Sequence, residues 1–324
     1  MVRIAILDDY QGVAQRMADW QSLPADTEVV VFRDHLIDLD QVAARLQEFE
    51  IVMAMRERTP FPRTLLARLP RLRLLVTAGM RNASIDLHAA AERGVVVCGT
   101  AGLPYPTAEL TWGLILSLVR HIPAEDRATR AGRWQETLGV GLNGKTLGVL
   151  GLGTLGSRVA RIGVAFEMTV LAWSQNLTPE RARAVGATLV GKDELLGKAD
   201  VVTIHLVLSE RTRGLIGGRE LALMKPSAYL VNTSRGPIVD EVALVGALRK
   251  GTIAGAGLDV FDDEPLPLDH PLRQLPTTVI TPHLGYVTEE TYRVFYGQAL
   301  EDIRAYLAGE PVRVLQPEPG GVAR

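Results

Sequence analysis

Arg235, Glu264 and His283 stand in three short segments, NTSRGPIVD, LDVFDDEP and TPHLGY, each following an apolar, strand-like run. In an open parallel sheet, ligands bind beyond the carboxyl ends of the strands, so polar residues placed there are candidates for chemistry. An arginine can grip a carboxylate through two parallel hydrogen bonds and polarise the adjacent carbonyl. A histidine can deliver a proton, and a paired carboxylate keeps it protonated and oriented. The three together meet the needs of keto-acid reduction. Each also has a plainer reading alone: Arg235 as a loop charge, Glu264 as one of a solvated acidic trio with Asp262 and Asp263, His283 as a structural cap. Their joint placement at strand ends favours chemistry. Of the six histidines, His205 also closes a strand-like run and competes with His283. No acidic segment like LDVFDDEP accompanies it, so it ranks second and is read as bordering a cofactor.

A second constellation lies at 146–160, TLGVLGLGTLGSRVA, where Gly151, Gly153 and Gly156 form GxGxxG between a strand-like run and an amphipathic stretch. The first glycine permits a tight turn, the second lets backbone approach a pyrophosphate, and the third lets helix pack on strand. Thr154 and Leu155 lie within this loop and open the helix, whose amino end attracts phosphate charge. A site preferring NAD normally places an acidic residue roughly 20 positions on, against the ribose hydroxyls. Ser174, Gln175 and Asn176 occupy that place. Without the carboxylate a 2′-phosphate is not repelled, so NADP is admissible beside NAD. No arginine sits at that strand end, and Arg181 and Arg183 on the next helix read equally as a solvated face, so the choice stays open.

The elements that must position these residues alternate along the chain. Short β-branched runs at 3–7, 28–32, 51–54, 72–77 and 95–97 are expected as strands, with helices at 39–47 and 86–93, the latter closed by Gly94. A second series of apolar runs follows at 146–150, 169–173, 201–205, 228–232, 256–260 and 278–281, as expected for strands covered on both faces. Thr178 and Pro179 read as N-cap and first residue of a helix over 179–185 that stops at Gly186. Residues 289–307 form a last, long amphipathic helix, and 316–321 a Pro/Gly-rich tail. The class is α/β.

A chain of 324 residues, 47% apolar and 22% charged, suits two domains. The formal charge of -2, with no block of Lys or Arg, lacks the electrostatic footprint of a nucleic-acid binder, so a small-molecule substrate is expected. Cys98 is the only cysteine, which leaves no disulfide framework and no CxxC metal pair. The amino end turns acidic at Asp8 and Asp9, too early for a signal peptide, and a cytoplasmic location is expected. The longest apolar stretch, 110–119, is far short of the roughly 20 residues that cross a bilayer, and reads as a buried helix.

Taken in order, PTAELTWGLILSLVR, GRW, GKTLGVLGLGTLG, HLVLSERTRGLIG, MKPSAYLVNTSRGPIVDE, AGAGLDVFDDEP and TPHLGY resemble the D-isomer-specific 2-hydroxyacid dehydrogenases over nearly the whole chain. The resemblance implies two Rossmann-like or flavodoxin-like doubly wound parallel-sheet domains with a cleft between them. One is a discontinuous substrate domain, 1–102 plus 288–324; the other is an NAD(P)-binding domain, 103–287. It also implies a homodimer, gives Arg235, Glu264 and His283 the roles above, and sets Asp259 on the nicotinamide carboxamide. His205 and Thr233 are expected beside the cofactor, and backbone amides around Ala78, Gly79 and Met80 on the substrate carboxylate. Reduction of glyoxylate, hydroxypyruvate or a related 2-keto acid, or oxidation of the matching D-hydroxy acid, follows from the same likeness, which includes phosphoglycerate dehydrogenases among its relatives. The chain departs from the pattern at Ser174, at Val207 where proline is common, and at Tyr286 where a small residue is frequent. Arg56, Arg58 and Arg81 could meet a second anionic group or be solvated. A cofactor-sensing corepressor on the same fold is the alternative of a different class.

Overall fold

The structure, a computed structural model, describes residues 1–317. The chain divides into two units: Met1–Leu103 with the segment from Thr288 onward, and Pro104–Val287. The Pro/Gly-rich tail expected at 316–321 falls outside the described residues from 318 on.

The first unit is a five-stranded parallel sheet of β1 (Val2–Ile6), β2 (Thr27–Val31), β3 (Ile51–Ala54), β4 (Leu74–Thr77) and β5 (Val96–Gly99). The order is β2-β1-β3-β4-β5. IVMA and LLVT are buried throughout, as central strands covered on both faces must be, whereas TEVVV at the edge is only half-buried. The helix Leu39–Leu46 turns Val42, Ala43 and Leu46 into the core behind an Asp38 cap that accepts from Asp40 N at 2.7 Å. Asp86 caps Leu87–Glu92 in the same way, and Gly94 follows at φ +69, the left-handed terminator read from the sequence. The long helix Glu289–Leu307 belongs to this unit and buries Tyr292, Phe295, Tyr296, Ala299 and Ile303. Trp20 meets Tyr296 edge to face, ring centroids 6.5 Å apart.

The second unit carries seven parallel strands: β6 (Thr146–Leu150), β7 (Thr169–Trp173), β8 (Ala187–Leu189), β9 (Val201–Ile204), β10 (Tyr229–Asn232), β11 (Gly255–Leu258) and β12 (Thr278–Ile280). Their order is β12-β11-β10-β9-β6-β7-β8. The chain builds outward from β6 to one side, then returns and builds to the other. The strand ends beside β6 are therefore a topological switch point, where open α/β sheets bind ligands. The apolar stretch read as a buried helix is the carboxyl part of Pro106–Val119, which sets Trp112, Ile115 and Leu118 into the core. Thr178 caps Pro179–Arg183, a shorter helix than the 179–185 expected. Among the described residues no helix is long and apolar enough to cross a membrane. β8 has no counterpart among the expected strands, because ATL, with its middle residue exposed, carries too little apolar pattern to register.

Candidate active site

β10, β11 and β12 are neighbours, so Arg235, Glu264 and His283 emerge from three consecutive strand ends at one sheet edge. Main-chain bonds extend the ladder past the strands: Asp259 N donates to Asn232 O at 3.0 Å, and His283 N to Asp259 O at 2.8 Å. Buried Asn232 shapes the turn after β10. Its Oδ1 accepts from Ser234 N (3.0 Å) and its Nδ2 donates to Arg235 O (2.9 Å). Ser234 Oγ donates to Ile204 O at 2.8 Å, and Arg235 Nη1 to Ser234 O at 2.7 Å. Gly236 then presses on the loop after β11: a Cβ there would lie 2.1 Å from the carbonyl carbon of Phe261. Only glycine lets the loop bearing Arg235 touch the loop bearing Glu264.

Glu264 is used at both oxygens. Oε1 accepts from Phe261 N at 3.0 Å, and Oε2 lies 2.6 Å from His283 Nδ1. His283 itself adopts φ +54, a left-handed conformation that a non-glycine residue holds only when its surroundings enforce it. The enforcing group is Asp259, which is wholly buried. Its Oδ1 accepts from Thr281 Oγ1 (2.6 Å) and Leu284 N (2.7 Å), and its Oδ2 from Gly285 N (2.8 Å). Burial pushes the Asp259 carboxyl above its ordinary value, against the pull of those bonds and of His283. Among the described residues, the side-chain bonds of Asp259 go to the His283 loop. With Nδ1 held by Glu264, Nε2 is the ring atom left to exchange a proton with a bound molecule. Tyr286 packs its ring against His283 at 5.6 Å.

The sequence reading missed the supports of this loop. Thr107 Oγ1 donates to Gly285 O at 2.9 Å, and the buried hydroxyls of Thr111 and Thr233 meet at 2.8 Å. The available signal was two threonines four residues apart, Thr107 and Thr111, on a largely apolar helix.

The glycine loop matches its expected form. Gly151 sits at φ +95, and a Cβ there would be 2.5 Å from His205 O; one on Gly156 would be 1.9 Å from Gly151 O. Over Gly153 such an atom would meet nothing within 4 Å. Gly153 opens the helix Thr154–Ala165 without a side-chain cap, so among the described residues no cap side chain competes for its first-turn amides, at Thr154 and Leu155. An open glycine before an uncapped helix end fits a dinucleotide pyrophosphate. Gly151 N donates to Trp173 O at 2.8 Å, which sets Ser174, Gln175 and Asn176 beside the loop. Gln175 Oε1 accepts from Arg211 Nη1 at 3.4 Å, bringing in an arginine that the sequence reading did not consider.

His205, the rival histidine, is anchored by its backbone N–H on Leu150 O at 2.7 Å. Its Nε2 lies 3.0 Å from Thr203 Oγ1, and its buried Nδ1 has no hydrogen-bond partner among the described residues. Burial pushes its pKa down to about 4, so near pH 7 the ring is neutral, a far weaker proton donor than an imidazolium. His270 also meets a carboxylate, Glu241, at 2.9 Å, but its Nδ1 accepts from Leu272 N and caps a turn.

In the first unit, Ala78, Gly79 and Met80 follow β4. Ala78 N donates to Ala54 O (3.0 Å) and Gly79 N to Thr100 Oγ1 (2.9 Å), so neither amide has a hydrogen left for a substrate. The Arg56 guanidinium lies over Gly79, where a Cβ would be 2.6 Å from Nη1, and also meets Glu57 at 3.4 Å. Arg58 donates to Asp8 O at 2.7 Å and stacks on Tyr10, while Arg81 is exposed.

A family model described as "D-isomer specific 2-hydroxyacid dehydrogenase, NAD binding domain" matches residues 112–285. The chain is 42% identical over 272 residues to a glyoxylate reductase of Aeropyrum pernix, covering 78% of this chain and 81% of that protein. It is 38% identical over 270 residues to a D-3-phosphoglycerate dehydrogenase of Bacillus subtilis, covering 82% of this chain but 51% of that one, about half its length. The crystal structure of a phosphoglycerate oxidoreductase from Vibrio cholerae superposes with a TM-score of 0.91 at 37% identity, over 95% of this chain and 100% of that one.

Proposed function

This chain belongs to the D-isomer specific 2-hydroxyacid dehydrogenase family and is an NAD(P)-dependent oxidoreductase of that class; from that premise we propose that it reduces a small 2-keto acid, glyoxylate or hydroxypyruvate foremost, with Arg235, Glu264 and His283 as its catalytic groups. The observation that carries the reading is the 2.6 Å contact of Glu264 with His283 on strand ends next to Arg235.

Gly151, Gly153, Gly156, Thr154 and Leu155 would hold the dinucleotide, and the nicotinamide supplies the hydride when bound. Arg235 takes the substrate carboxylate in its planar fork and draws electron density from the neighbouring carbonyl. The carbonyl oxygen gains its proton from His283 Nε2, and Glu264 at Nδ1 steadies the ring in both proton states. His283 Nε2 accepts the proton back in the oxidative direction. Asp259 acts through the His283 loop as a positioning residue. The relatives described above carry names of reductases and dehydrogenases, which gives the corepressor alternative no support.

A homodimer is part of the same proposal. It is favoured by Trp134 and Leu138, which are 76% and 92% exposed on an irregular segment after the helix Ile122–Arg130. A cytoplasmic setting accords with a lone, buried Cys98, whose thiol burial pushes up to about 12. Oxidation of NADPH or NADH in the presence of glyoxylate, hydroxypyruvate and longer 2-keto acids tests the substrate reading. Absence of turnover with every 2-keto acid and both cofactors sinks it.

A further inference from the structure

Resting on the dinucleotide reading of the glycine loop, we propose that Arg211 anchors a 2′-phosphate and that the chain prefers NADPH to NADH. β7 and β9 flank β6 on opposite sides. The segments after both strands close over the Gly151 turn, through the bond from Gly151 N to Trp173 O and the close approach of His205 O. Past β7 stand a hydroxyl and two amides, Ser174, Gln175 and Asn176, and no carboxylate. The segment past β7 thus lacks the anion that would accept from a ribose diol and repel a 2′-phosphate.

The loop after β9 brings the missing charge to that corner. Thr212 ties it: Oγ1 donates to Val207 O at 2.7 Å and accepts from Ser209 N at 2.8 Å. Main-chain N–H groups of Thr212 and Arg213 both donate to Ser209 O, at 3.0 and 2.9 Å. This knotted turn carries Arg211, whose Nη1 reaches Gln175 Oε1 at 3.4 Å. Among the described residues the guanidinium is thus engaged by a neutral amide and by no carboxylate. One long bond from one of five N–H donors leaves it able to grip a phosphate dianion in a fork. On the helix that follows, Arg183 pairs with Glu180 at 3.3 Å. Ser174 and the Gln175 amide would complete the pocket as neutral donors. Arg211 is exposed, so its replacement should leave the fold intact.

The test is direct binding to the full chain, by calorimetry, of NADPH, NADH, 2′,5′-ADP and 5′-ADP. NADPH and 2′,5′-ADP should bind more tightly than their partners lacking the 2′-phosphate. Arg211→Ala should weaken both by about 10- to 100-fold, the usual worth of a charge-assisted contact, and leave NADH nearly unchanged. Arg211→Lys should recover part of the loss. NADH binding as tightly as NADPH, or an unaltered NADPH/NADH ratio in Arg211→Ala, overturns this inference and leaves the dinucleotide site standing. Binding of neither dinucleotide overturns both.

Discussion

Glu264 Oε2 lies 2.6 Å from Nδ1 of His283, although 19 residues and the whole of β12 separate the two. The contact assigns one ring nitrogen to the protein and leaves the other to a substrate, so changes on either side of it should have different signatures.

His283→Ala removes the proton donor without touching the glycine loop. It should bind NAD(P)H as the unaltered chain does and reduce keto acids about 10² to 10⁴ times more slowly. Fluorescence titration of the cofactor and steady-state kinetics measure the two halves. Full activity in His283→Ala, with loss in His205→Ala, would transfer the role to His205.

Glu264→Gln keeps the shape but removes the negative charge that favours the imidazolium. The high-pH limb of kcat/KM for reduction should move to lower pH, so activity fails sooner as pH rises. A pH profile with an unmoved limb would show that the carboxylate only orients the ring.

Arg235→Lys retains charge but loses the planar two-point grip. kcat/KM should drop by at least about 10-fold for every active keto acid, the worth of one charge-assisted bond, with both KM and kcat affected. Near-normal kinetics would place the carboxylate elsewhere.

His205 predicts a stability effect. An unfolded histidine takes up its proton near 6.5, whereas burial in the fold delays uptake until about pH 4. Between those values the unfolded state holds more protons, so stability falls as pH drops through the window. The loss between pH 7 and pH 5 should be about 2 kcal/mol, and His205→Gln should lack it. Urea unfolding of both proteins at the two pH values decides the matter; equal losses would mean that the ring is not shut away from water in solution.

Much of this site was legible in the sequence, because strand-end chemistry is local. GxGxxG, NTSRGP, DEP and TPH each couple a recognisable residue to the end of an apolar run. Illegible were the parts made by distance. Asp259 reaches Leu284 and Gly285 across 25 and 26 residues to set the His283 turn, a role its place in the sequence does not announce. Arg211 sits 36 residues from Gln175, and only the order of β7, β6 and β9 makes them neighbours. Thr111 and Thr233 are 122 residues apart. Strand ends shifted by a residue or two for a different reason: apolar runs extend past the last ladder pair, as at His205, whose N–H still bonds Leu150 O.

The split composition of the first unit has a consequence for the order of synthesis. Growing from its amino end, the chain completes β1 to β5 and then lays down the entire second unit before the helix Glu289–Leu307 exists. Until then Trp20 lacks Tyr296, and the surface later covered by Phe295 and Ile303 has no native partner. The nascent first unit is thus held in waiting with an apolar face uncovered while the second unit can already close its own sheet, and this interval is where the newborn chain is most open to aggregation or to a chaperone.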